Sequence, residues 1–310
     1  MGVYGIDAYP VEVEVDDSPG FPRLTIVGLP DAAVKESGDR VSTAIANSNY
    51  QYRLKKLTIN LAPADMRKEG PAFDLPIAMG MLLASEQVTS PVLEHYSIVG
   101  ELALDGAVRK VRGCLPMALA CREEGLKGIL VPKDNAAEAG VVDGIEVIPV
   151  ESLAQAVGFM ACREPIEPVD LDVESIFKNA AEYDVDFSDV RGQEHVKRAL
   201  TVAAAGGHNL IMVGPPGAGK TMLAKRLPTI LPSLSLDEAL ETTKIYSVVG
   251  MLGSGQSLIA TRPFSAPHHT VSDAGLIGGG AQPKPGDVSL SHNGVLFLDE
   301  LPEFNRKTLE

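Results

Sequence analysis

The sequence predicts an α/β protein of two domains, and three observations support this fold class. Short apolar runs alternate with longer segments of helical periodicity through about the first 160 residues. A glycine-rich loop at Gly214–Thr221 follows one apolar run and precedes a helical segment. The chain has 310 residues, of which 45% are hydrophobic, so it is long enough for about two domains and apolar enough for packed cores.

The first domain is expected at residues 1–165. It begins with valines at positions 11, 13 and 15 that alternate with acidic residues, which predicts a half-exposed strand. The next strand is expected to return beside the first after a turn at residues 18–20. The apolar run at residues 24–27 predicts this second strand, and further strands are predicted from runs at residues 57–61, 97–99, 102–104, 129–132 and 145–149. Helices are predicted from apolar stripes at residues 32–47, 75–84, 113–124 and 152–160. Ser152 can cap the last helix.

Residues 166–186 are expected to form an acidic linker, since they contain one lysine and seven acids. One helical turn is expected within it, around residues 175–181. The second domain is expected at residues 187–310. Its predicted helices are at 193–205, 222–227 and 236–245, and its predicted buried strands are at 210–213 and 295–298.

Composition excludes several classes of protein. The net charge is −14, of which residues 1–165 carry −8 and residues 166–186 carry −6. An acidic N-terminal half argues against broad wrapping of nucleic acid by that half. No apolar run reaches the roughly 18 residues of a membrane span, and the N-terminus lacks the features of a signal peptide. Three cysteines without a CxxC pair fit reduced thiols and no structural zinc site. We therefore expect a cytoplasmic protein with no membrane partner.

The glycine-rich loop has the spacing G-x-x-x-x-G-K-T, which is typical of a phosphate-binding loop. Its glycines let backbone N–H groups surround phosphate oxygens, and the N-terminus of the following helix favours negative charge. Lys220 can reach the β- and γ-phosphates, and the Thr221 hydroxyl can bind Mg²⁺. The candidate ATP-binding residues are Gly214, Pro215, Pro216, Gly217, Ala218, Gly219, Lys220 and Thr221.

An apolar run at residues 295–298 ends in Asp299 and Glu300. Asp299 would hold Mg²⁺ through its water shell, and Glu300 would polarise the attacking water. The candidate metal ligands are thus Thr221 and Asp299, and the candidate catalytic residues are Lys220 and Glu300. The alternative is a strand that ends in two solvated carboxylates.

Other patterns leave alternatives open. His268 and His269 could bind a metal, but contact with nucleotide, contact with a neighbouring subunit or simple packing is favoured, because adjacent strand residues point to opposite faces. Two basic runs, at residues 53–56 and 109–112, are interpreted as solvated faces, with a DNA-facing patch as the alternative. Residues 250–255 contain three glycines but no following lysine, which favours a turn.

Segments in both halves resemble the YifB/ComM family, which are Mg-chelatase-like AAA+ ATPases. The matching segments are residues 25–37, 60–65, 68–76, 189–193, 203–209, 214–221, 262–270 and 294–302. The resemblance implies that Val190 and Gln193 lie on the adenine side of the nucleotide. It also implies a homohexameric ring that uses ATP and Mg²⁺ and acts on DNA, in branch migration during recombination and natural transformation.

The N-terminal half also resembles the proteolytic domain of Lon. The Lon nucleophile is a serine, and this sequence has Ala72 at that position. The Lon lysine falls at Leu115. Because a nucleophile needs its base within reach, the resemblance implies a degenerate domain without a protease substrate.

The resemblance further implies strands, sensor residues, an arginine finger and a lid beyond residue 310. The AAA+ module is therefore expected to be incomplete, and residues 210–213 are expected to lack both of their hydrogen-bonding neighbours. Such a chain is expected to bind nucleotide weakly and hydrolyse little. The alternative functions are the ATPase subunit of a magnesium-chelatase-type complex and a product that only binds partners. The Lon-like domain favours the DNA motor, since dedicated chelatase ATPase subunits lack it.

Overall fold

The alternating valines near the N-terminus form the first long strand of the computed structural model. The structure describes residues 1–21, 23–51, 56–180, 182–253, 255–280 and 283–309, with residue 179 described without its side chain. Its described residues divide into two units. Unit 1 comprises Met1–Leu171 and Ser247–Ser257, and unit 2 comprises Asp172–Tyr246 and Leu258–Glu310.

Unit 1 contains two three-stranded sheets. Its strands are β1 (Gly2–Tyr4), β2 (Asp7–Tyr9), β3 (Glu12–Ser18), β4 (Arg23–Val27), β5 (Lys56–Ala62), β6 (Tyr96–Ile98), β7 (Glu101–Leu102), β8 (Val108–Arg109), β9 (Gly128–Pro132) and β10 (Glu146–Val150). Its helices are α1 (Ala32–Asn47), α2 (Asp74–Ala84), α3 (Cys114–Glu123), α4 (Ala136–Ala139) and α5 (Leu153–Met160). One sheet has the order β3-β5-β4, and the other, β10-β9-β6, is entirely parallel. The predicted α/β class is confirmed.

The structure corrects the predicted neighbour of β4. The sequence suggested that residues 24–27 return beside the first strand, but β5 lies between β3 and β4. β4 and β5 are parallel, and β3 and β5 are antiparallel. A parallel pair needs a crossover of a dozen or more residues, and α1 provides it. β4, α1 and β5 therefore form one strand–helix–strand unit.

The core of unit 1 lies where α1 and α2 cover this sheet. The predicted stripe of α1, Val34, Val41 and Ile45, is fully buried, as is Ile59 of β5. Helix ends follow local chemistry, since the Asp31 side chain accepts a hydrogen bond from the Val34 N–H, and Ser152 accepts one from the N–H three residues later.

Part of the predicted linker lies along unit 1. The Val169 N–H donates to the Val147 carbonyl at 2.9 Å, and Ile166 packs against the core. The predicted helical turn is a two-turn helix, α6 (Val173–Asn179), in unit 2.

Unit 2 has helices of four to fourteen residues and strands of two residues. Its helices after α6 are α7 (Glu194–Gly206), α8 (Lys220–Arg226), α9 (Leu236–Val249), of which residues 247–249 are counted in unit 1, α10 (Asp273–Leu276), α11 (Asp287–Leu290) and α12 (Arg306–Leu309). Its strands are β11 (Phe264–Ser265), β12 (Gly278–Gly279), β13 (Lys284–Pro285) and β14 (Val295–Leu296). β11 and β14 are parallel, and β12 and β13 form an antiparallel pair. Across the described residues, no helix is long and apolar enough to cross a membrane.

Arg262 fixes the approach to β11. Its guanidinium donates to the carbonyls of Pro232 (2.5 Å) and Asn293 (2.6 Å) and to the Glu238 carboxylate (3.2 Å). Its side chain is only 13% exposed. One buried cation thus joins the start of α9 to the segments that precede β11 and β14.

The predicted buried strand at residues 210–213 is wrong for the described chain. Those residues form no strand, and Ile211 and Val213 are 79% and 92% exposed. An extended segment becomes a strand only by hydrogen bonding to a neighbour, and no described strand pairs with this one.

The predicted strand at residues 295–298 is also shorter and less buried than expected. β14 covers two half-buried residues, although the Phe297 N–H still donates to the Ser265 carbonyl at 2.8 Å.

Candidate functional site

The phosphate-binding loop owes its shape to two glycines. Gly217 and Gly219 have φ angles of 79° and 85°, a region that side chains rarely adopt. Gly219 is the residue before α8, so the loop runs directly into Lys220 and Thr221 at the first turn of that helix. Gly214 does not have a positive φ angle, and its role is to begin the loop rather than to turn it.

Lys220 points back into this loop. Its ammonium donates to the carbonyls of Gly214 at 3.0 Å and Pro215 at 3.3 Å. The charge therefore lies over the loop, where phosphate oxygens entering it would compete with these two carbonyls.

The two halves of the candidate metal site are in contact. The Thr221 hydroxyl donates to Asp299 Oδ2 at 3.1 Å, although 78 residues separate them in sequence. The other oxygen, Oδ1, accepts the Glu300 N–H at 3.1 Å. A hydroxyl and a carboxylate are the oxygen ligands that Mg²⁺ prefers, so these residues fit that ion.

Glu300 has an unusual backbone and a partner that sequence analysis missed. Its φ angle is 54°, and its Oε2 lies 3.3 Å from His269 Nδ1. His269 comes four residues after β11, and Glu300 comes four residues after β14. Since the two strands are parallel, their carboxyl ends lie at the same edge. The pairing of these strands is the signal that would have placed His269 beside Glu300.

The residues implied on the adenine side behave differently from each other. The side chain of Val190 is 2% exposed and packs with Leu200 and Leu223 in the core of unit 2. Gln193, with a φ angle of 57°, donates from Nε2 to the Ala218 carbonyl at 3.1 Å. Gln193 thus contacts the phosphate-binding loop, whereas the Val190 side chain contributes to the core of unit 2.

The turn that leads to these two residues is tied to α8. Arg226 donates to the Asp186 carbonyl at 3.0 Å and to the Asp189 carboxylate at 3.1 Å. Hydrogen bonds from the Asp186 N–H and from Arg226 lower the pKa of the Asp189 carboxyl. The segment that carries Gln193 is therefore fixed to the helix that carries Thr221.

A cleft of about 1070 Å³ in unit 2 brings most of the predicted residues together. Its lining includes Gly214, Pro216, Gly217, Ala218, Gly219, Lys220, Thr221, Asp299 and Glu300. Residues 210–213 and 294–298 also line it. The cleft therefore includes space beside these two apolar segments as well as the space over the phosphate-binding loop.

The basic runs and glycine turn outside the cleft have structural roles where they are described. Lys110 donates to the Leu252 carbonyl at 3.2 Å. A Cβ at Gly250, whose φ angle is 79°, would approach Arg112 Nε to 2.8 Å. Residues 53–55 of the other run and Ser254 of the glycine turn lie outside the described residues.

The two residues at the positions of the Lon nucleophile and lysine, Ala72 and Leu115, are both buried. The Leu115 N–H donates to Glu138 Oε1 at 3.0 Å, inside a buried polar cluster. In the described part of the chain, no three or more histidine, cysteine and acidic residues come together as a metal-binding group, so nothing in it supports the metal alternative for His268 and His269.

Comparison with known proteins agrees with these features. The family model described as magnesium chelatase, subunit ChlI, matches residues 186–310, and the model described as subunit ChlI of Mg-chelatase matches residues 13–135. The chain is 50% identical over 307 residues to the uncharacterized protein YifB of Escherichia coli strain K12, covering 99% of this chain and 59% of YifB. It is 46% identical over 308 residues to the competence protein ComM of Haemophilus influenzae, covering 99% of this chain and 60% of ComM.

The chain belongs to the YifB/ComM family of Mg-chelatase-like proteins. It spans about three fifths of the length of these two members of the YifB/ComM family. It is also 25% identical over 186 residues to the Lon protease of Rhizobium meliloti, covering 56% of this chain and 22% of that protease. This weaker similarity agrees with a Lon-like α/β domain in the YifB/ComM family.

Proposed function

We propose that this chain is the nucleotide-binding part of an AAA+ ATP hydrolase, a cytoplasmic motor that works as a homohexameric ring on DNA. The observation that carries the proposal is the contact between Thr221 and Asp299. It joins the phosphate-binding loop to the Asp-Glu strand end in one cleft. A lone acidic strand end would be weak evidence, but together with the glycine loop it would supply the phosphate-binding, Mg²⁺-binding and base groups of an ATP hydrolase.

Each group has a defined task in this proposal. The loop backbone and Lys220 bind the phosphates, and Gln193 holds the loop beside the adenine side. Thr221 and Asp299 hold Mg²⁺, which, when bound, neutralises charge on the phosphate oxygens. Glu300 accepts a proton from the attacking water or orients that water.

The DNA substrate is inferred from the family. A relative that is 46% identical is named a competence protein, and the resemblance associates such proteins with branch migration in recombination and transformation. The second candidate is the ATPase subunit of a magnesium-chelatase-type complex. The descriptions of both matching family models favour it, since they name that subunit.

ATP hydrolysis by the full-length gene product should be measured without DNA, with linear duplex and with a four-way junction. The DNA motor is supported by stimulation that is greatest with the junction. Indifference to all DNA, together with stimulation by a porphyrin-carrying subunit, would favour the chelatase candidate and contradict the motor.

A further inference from the structure

The chain between α9 and β11 enters unit 1 and then returns to unit 2. Residues 236–246 of α9 belong to unit 2, whereas residues 247–249 of the same helix and the chain as far as Ser257 belong to unit 1. We call residues 247–257 the return segment, and Ser254 is the one of them outside the described residues. Whatever fixes the last turn of α9 in unit 1 therefore fixes one end of a helix that begins in unit 2.

The return segment begins with a buried hydrogen-bonded cluster. The buried hydroxyl of Ser247 donates to the Glu138 carboxylate, and the Ser247 carbonyl accepts the Gly113 N–H at 3.1 Å. Glu138 is also buried, and it accepts hydrogen bonds from the Leu115 N–H at 3.0 Å and from the Asn135 amide at 2.9 Å. A buried carboxylate is tolerated only with its hydrogen-bond donors in place, so the bond from Ser247 anchors the last turn of α9.

The turn that follows α9 is seated in unit 1 as well. Gly250 has a φ angle of 79°, which side chains rarely adopt, and it lies against the side chain of Arg112. Two residues later, the buried Leu252 offers its carbonyl to the Lys110 ammonium at 3.2 Å. The return segment is thus held at successive positions along its length, and its conformation is specified by unit 1.

The part of α9 in unit 2 holds the residues that lead to β14. Asn293, two residues before β14, donates from Nδ2 to the Glu238 carbonyl at 3.3 Å and to the Thr242 hydroxyl at 3.4 Å. Its φ angle of 57° is uncommon for a residue other than glycine, and such conformations persist where contacts hold them. Arg262 joins the same two segments, because it donates to the Glu238 carboxylate and to the Asn293 carbonyl. The start of the strand that leads to Asp299 is therefore fixed to α9.

A separate contact joins α9 to the chain before β11. The Ile259 N–H donates to the hydroxyl oxygen of Thr243, which is buried, at 2.9 Å. β11 begins five residues after Ile259, and it pairs in parallel with β14. The helix thus contacts the segments that precede both strands of this small sheet.

We infer that α9 and the return segment form a coupling element through which unit 1 controls ATP turnover in unit 2. The cluster at Glu138 fixes one end of α9, and the rest of the helix fixes the segments that lead to β11 and β14. A packed helix with hydrogen-bonded partners at both ends is the kind of rigid element that carries such an effect. The effect on turnover rests on the proposed function, whereas the effect on the strands does not.

Hydrogen exchange in the full-length gene product, followed by mass spectrometry, tests the effect on the strands without nucleotide. Ser247→Ala removes the donor to Glu138 and preserves α9, since alanine is the best helix former. Gly250→Ala disturbs the return segment independently, through its φ angle. Both variants should speed exchange of the peptide that covers residues 293–298 about fivefold, because the Val295 and Phe297 N–H groups in it are hydrogen-bonded to the chain around β11.

Arg40→Met is the matched control for both variants. It also removes a donor from a buried carboxylate of unit 1, that of Asp74, but neither residue belongs to the return segment or contacts Glu138 in the described hydrogen bonds. With all variants folded, exchange at residues 293–298 in Arg40→Met should stay within about twofold of the wild type, since loosening that stays within one cooperative unit does not reach another. Equal acceleration in Arg40→Met and Ser247→Ala would overturn the inference, because general loosening of unit 1 would then explain both.

Ser247→Ala should also lower kcat for ATP about threefold to tenfold, a size typical of substitutions along a coupling network, and Arg40→Met should not. Wild-type exchange at residues 293–298 in both Ser247→Ala and Gly250→Ala would overturn the inference. So would faster exchange with wild-type kcat, since unit 1 would then have no influence on turnover. If the wild type hydrolyses no ATP, the proposed function fails and control of turnover fails with it, and the exchange data alone then decide whether unit 1 acts on the strands.

Discussion

The Thr221 hydroxyl donates a hydrogen bond to Asp299 Oδ2 at 3.1 Å. Thr221 belongs to the first turn of α8, and Asp299 follows β14, so this bond connects the loop side of the cleft to its strand side. Both oxygens are suited to Mg²⁺, and the same pair therefore predicts how nucleotide binding depends on the ion.

Thr221→Ala should remove the part of nucleotide affinity that depends on Mg²⁺. Hydrogen bonds to charged groups contribute about 1.5–3 kcal/mol, so we expect roughly a tenfold to hundredfold loss in the presence of Mg²⁺ and little change in EDTA. Titration with a fluorescent ATP analogue measures the affinity in Mg²⁺ and the affinity in EDTA. Thr221→Ser is the control, because it keeps the hydroxyl, and an equal loss in Thr221→Ser and Thr221→Ala would contradict the assignment.

The pair of Arg40 and Asp74 predicts a pH-dependent effect in unit 1. Arg40 donates to the fully buried Asp74 carboxylate at 2.7 and 2.9 Å, and the Leu102 N–H donates at 3.1 Å. Burial raises the pKa of the Asp74 carboxyl, and the hydrogen bonds from Arg40 and Leu102 oppose that rise. Removal of Arg40 should therefore raise this pKa further.

Arg40→Met keeps the aliphatic stem and should destabilise the protein by about 2–4 kcal/mol near pH 7, since it leaves a buried charge without its cation. In Arg40→Met the pKa of the Asp74 carboxyl should be higher in the folded state than in the unfolded state. Stability is therefore lost as the pH rises through the folded-state pKa. The loss caused by Arg40→Met should thus be smaller near pH 4 than near pH 7. Urea denaturation at both pH values tests this.

The control for that experiment is Glu174→Ala. Glu174 and Lys178 form an exposed ion pair at 3.7 Å, and its removal should cost less than about 0.5 kcal/mol. The assigned role of Asp74 would be contradicted if Arg40→Met lost as little free energy of unfolding as Glu174→Ala. It would also be contradicted if the loss in Arg40→Met were larger near pH 4 than near pH 7.

The cysteines predict a simple pattern of reactivity. Cys162 is exposed, whereas Cys114 and Cys121 are buried. Burial raises the pKa of Cys121 to about 11 and that of Cys114 well above its ordinary value. Because the thiolate is the reactive form, a disulfide reagent near pH 8 should titrate one thiol quickly in the native protein and three after denaturation.

Cys162→Ser should abolish the fast reaction of the thiols. Two or three fast equivalents in the native wild type would show that the core around α3 opens more easily than its packing indicates.

The sequence predicted well the elements that local chemistry determines. The helix at residues 32–47 was confirmed with its buried stripe, and the cap at Ser152 was confirmed, because apolar period and capping residues act within a few positions. The turns at Gly217 and Gly219 were predicted for the same reason, since their positive φ angles depend on the local chain path, whereas Gly214 does not have such an angle.

Features that depend on distant segments could not be predicted. The order β3-β5-β4 follows from a crossover, and the contact of His269 with Glu300 follows from the pairing of β11 with β14. The apolar run at residues 210–213 indicates side chains suited to burial, but burial also needs neighbouring strands. The segment was expected to lack both hydrogen-bonding neighbours, and no described strand pairs with it.

The contacts of residues 247–257 are another feature that depends on distant segments. They belong to unit 1, where the Gly113 N–H donates to the Ser247 carbonyl at 3.1 Å and the Ser247 hydroxyl donates to the Glu138 carboxylate. The nearby Asn135 amide donates to the same carboxylate at 2.9 Å. No local pattern in the sequence marks these partners, since they are more than 100 residues apart from Ser247.

The most direct test of the ATP site is Glu300→Gln in the full-length gene product, measured by ATP affinity and by single-turnover hydrolysis. The site described above predicts affinity within about twofold of the wild type and hydrolysis slower by about 100-fold or more, because the amide cannot accept a proton from water. Lys220→Ala should instead lose affinity. Hydrolysis by Glu300→Gln at the wild-type rate would contradict the assignment of this cleft as the centre of ATP hydrolysis.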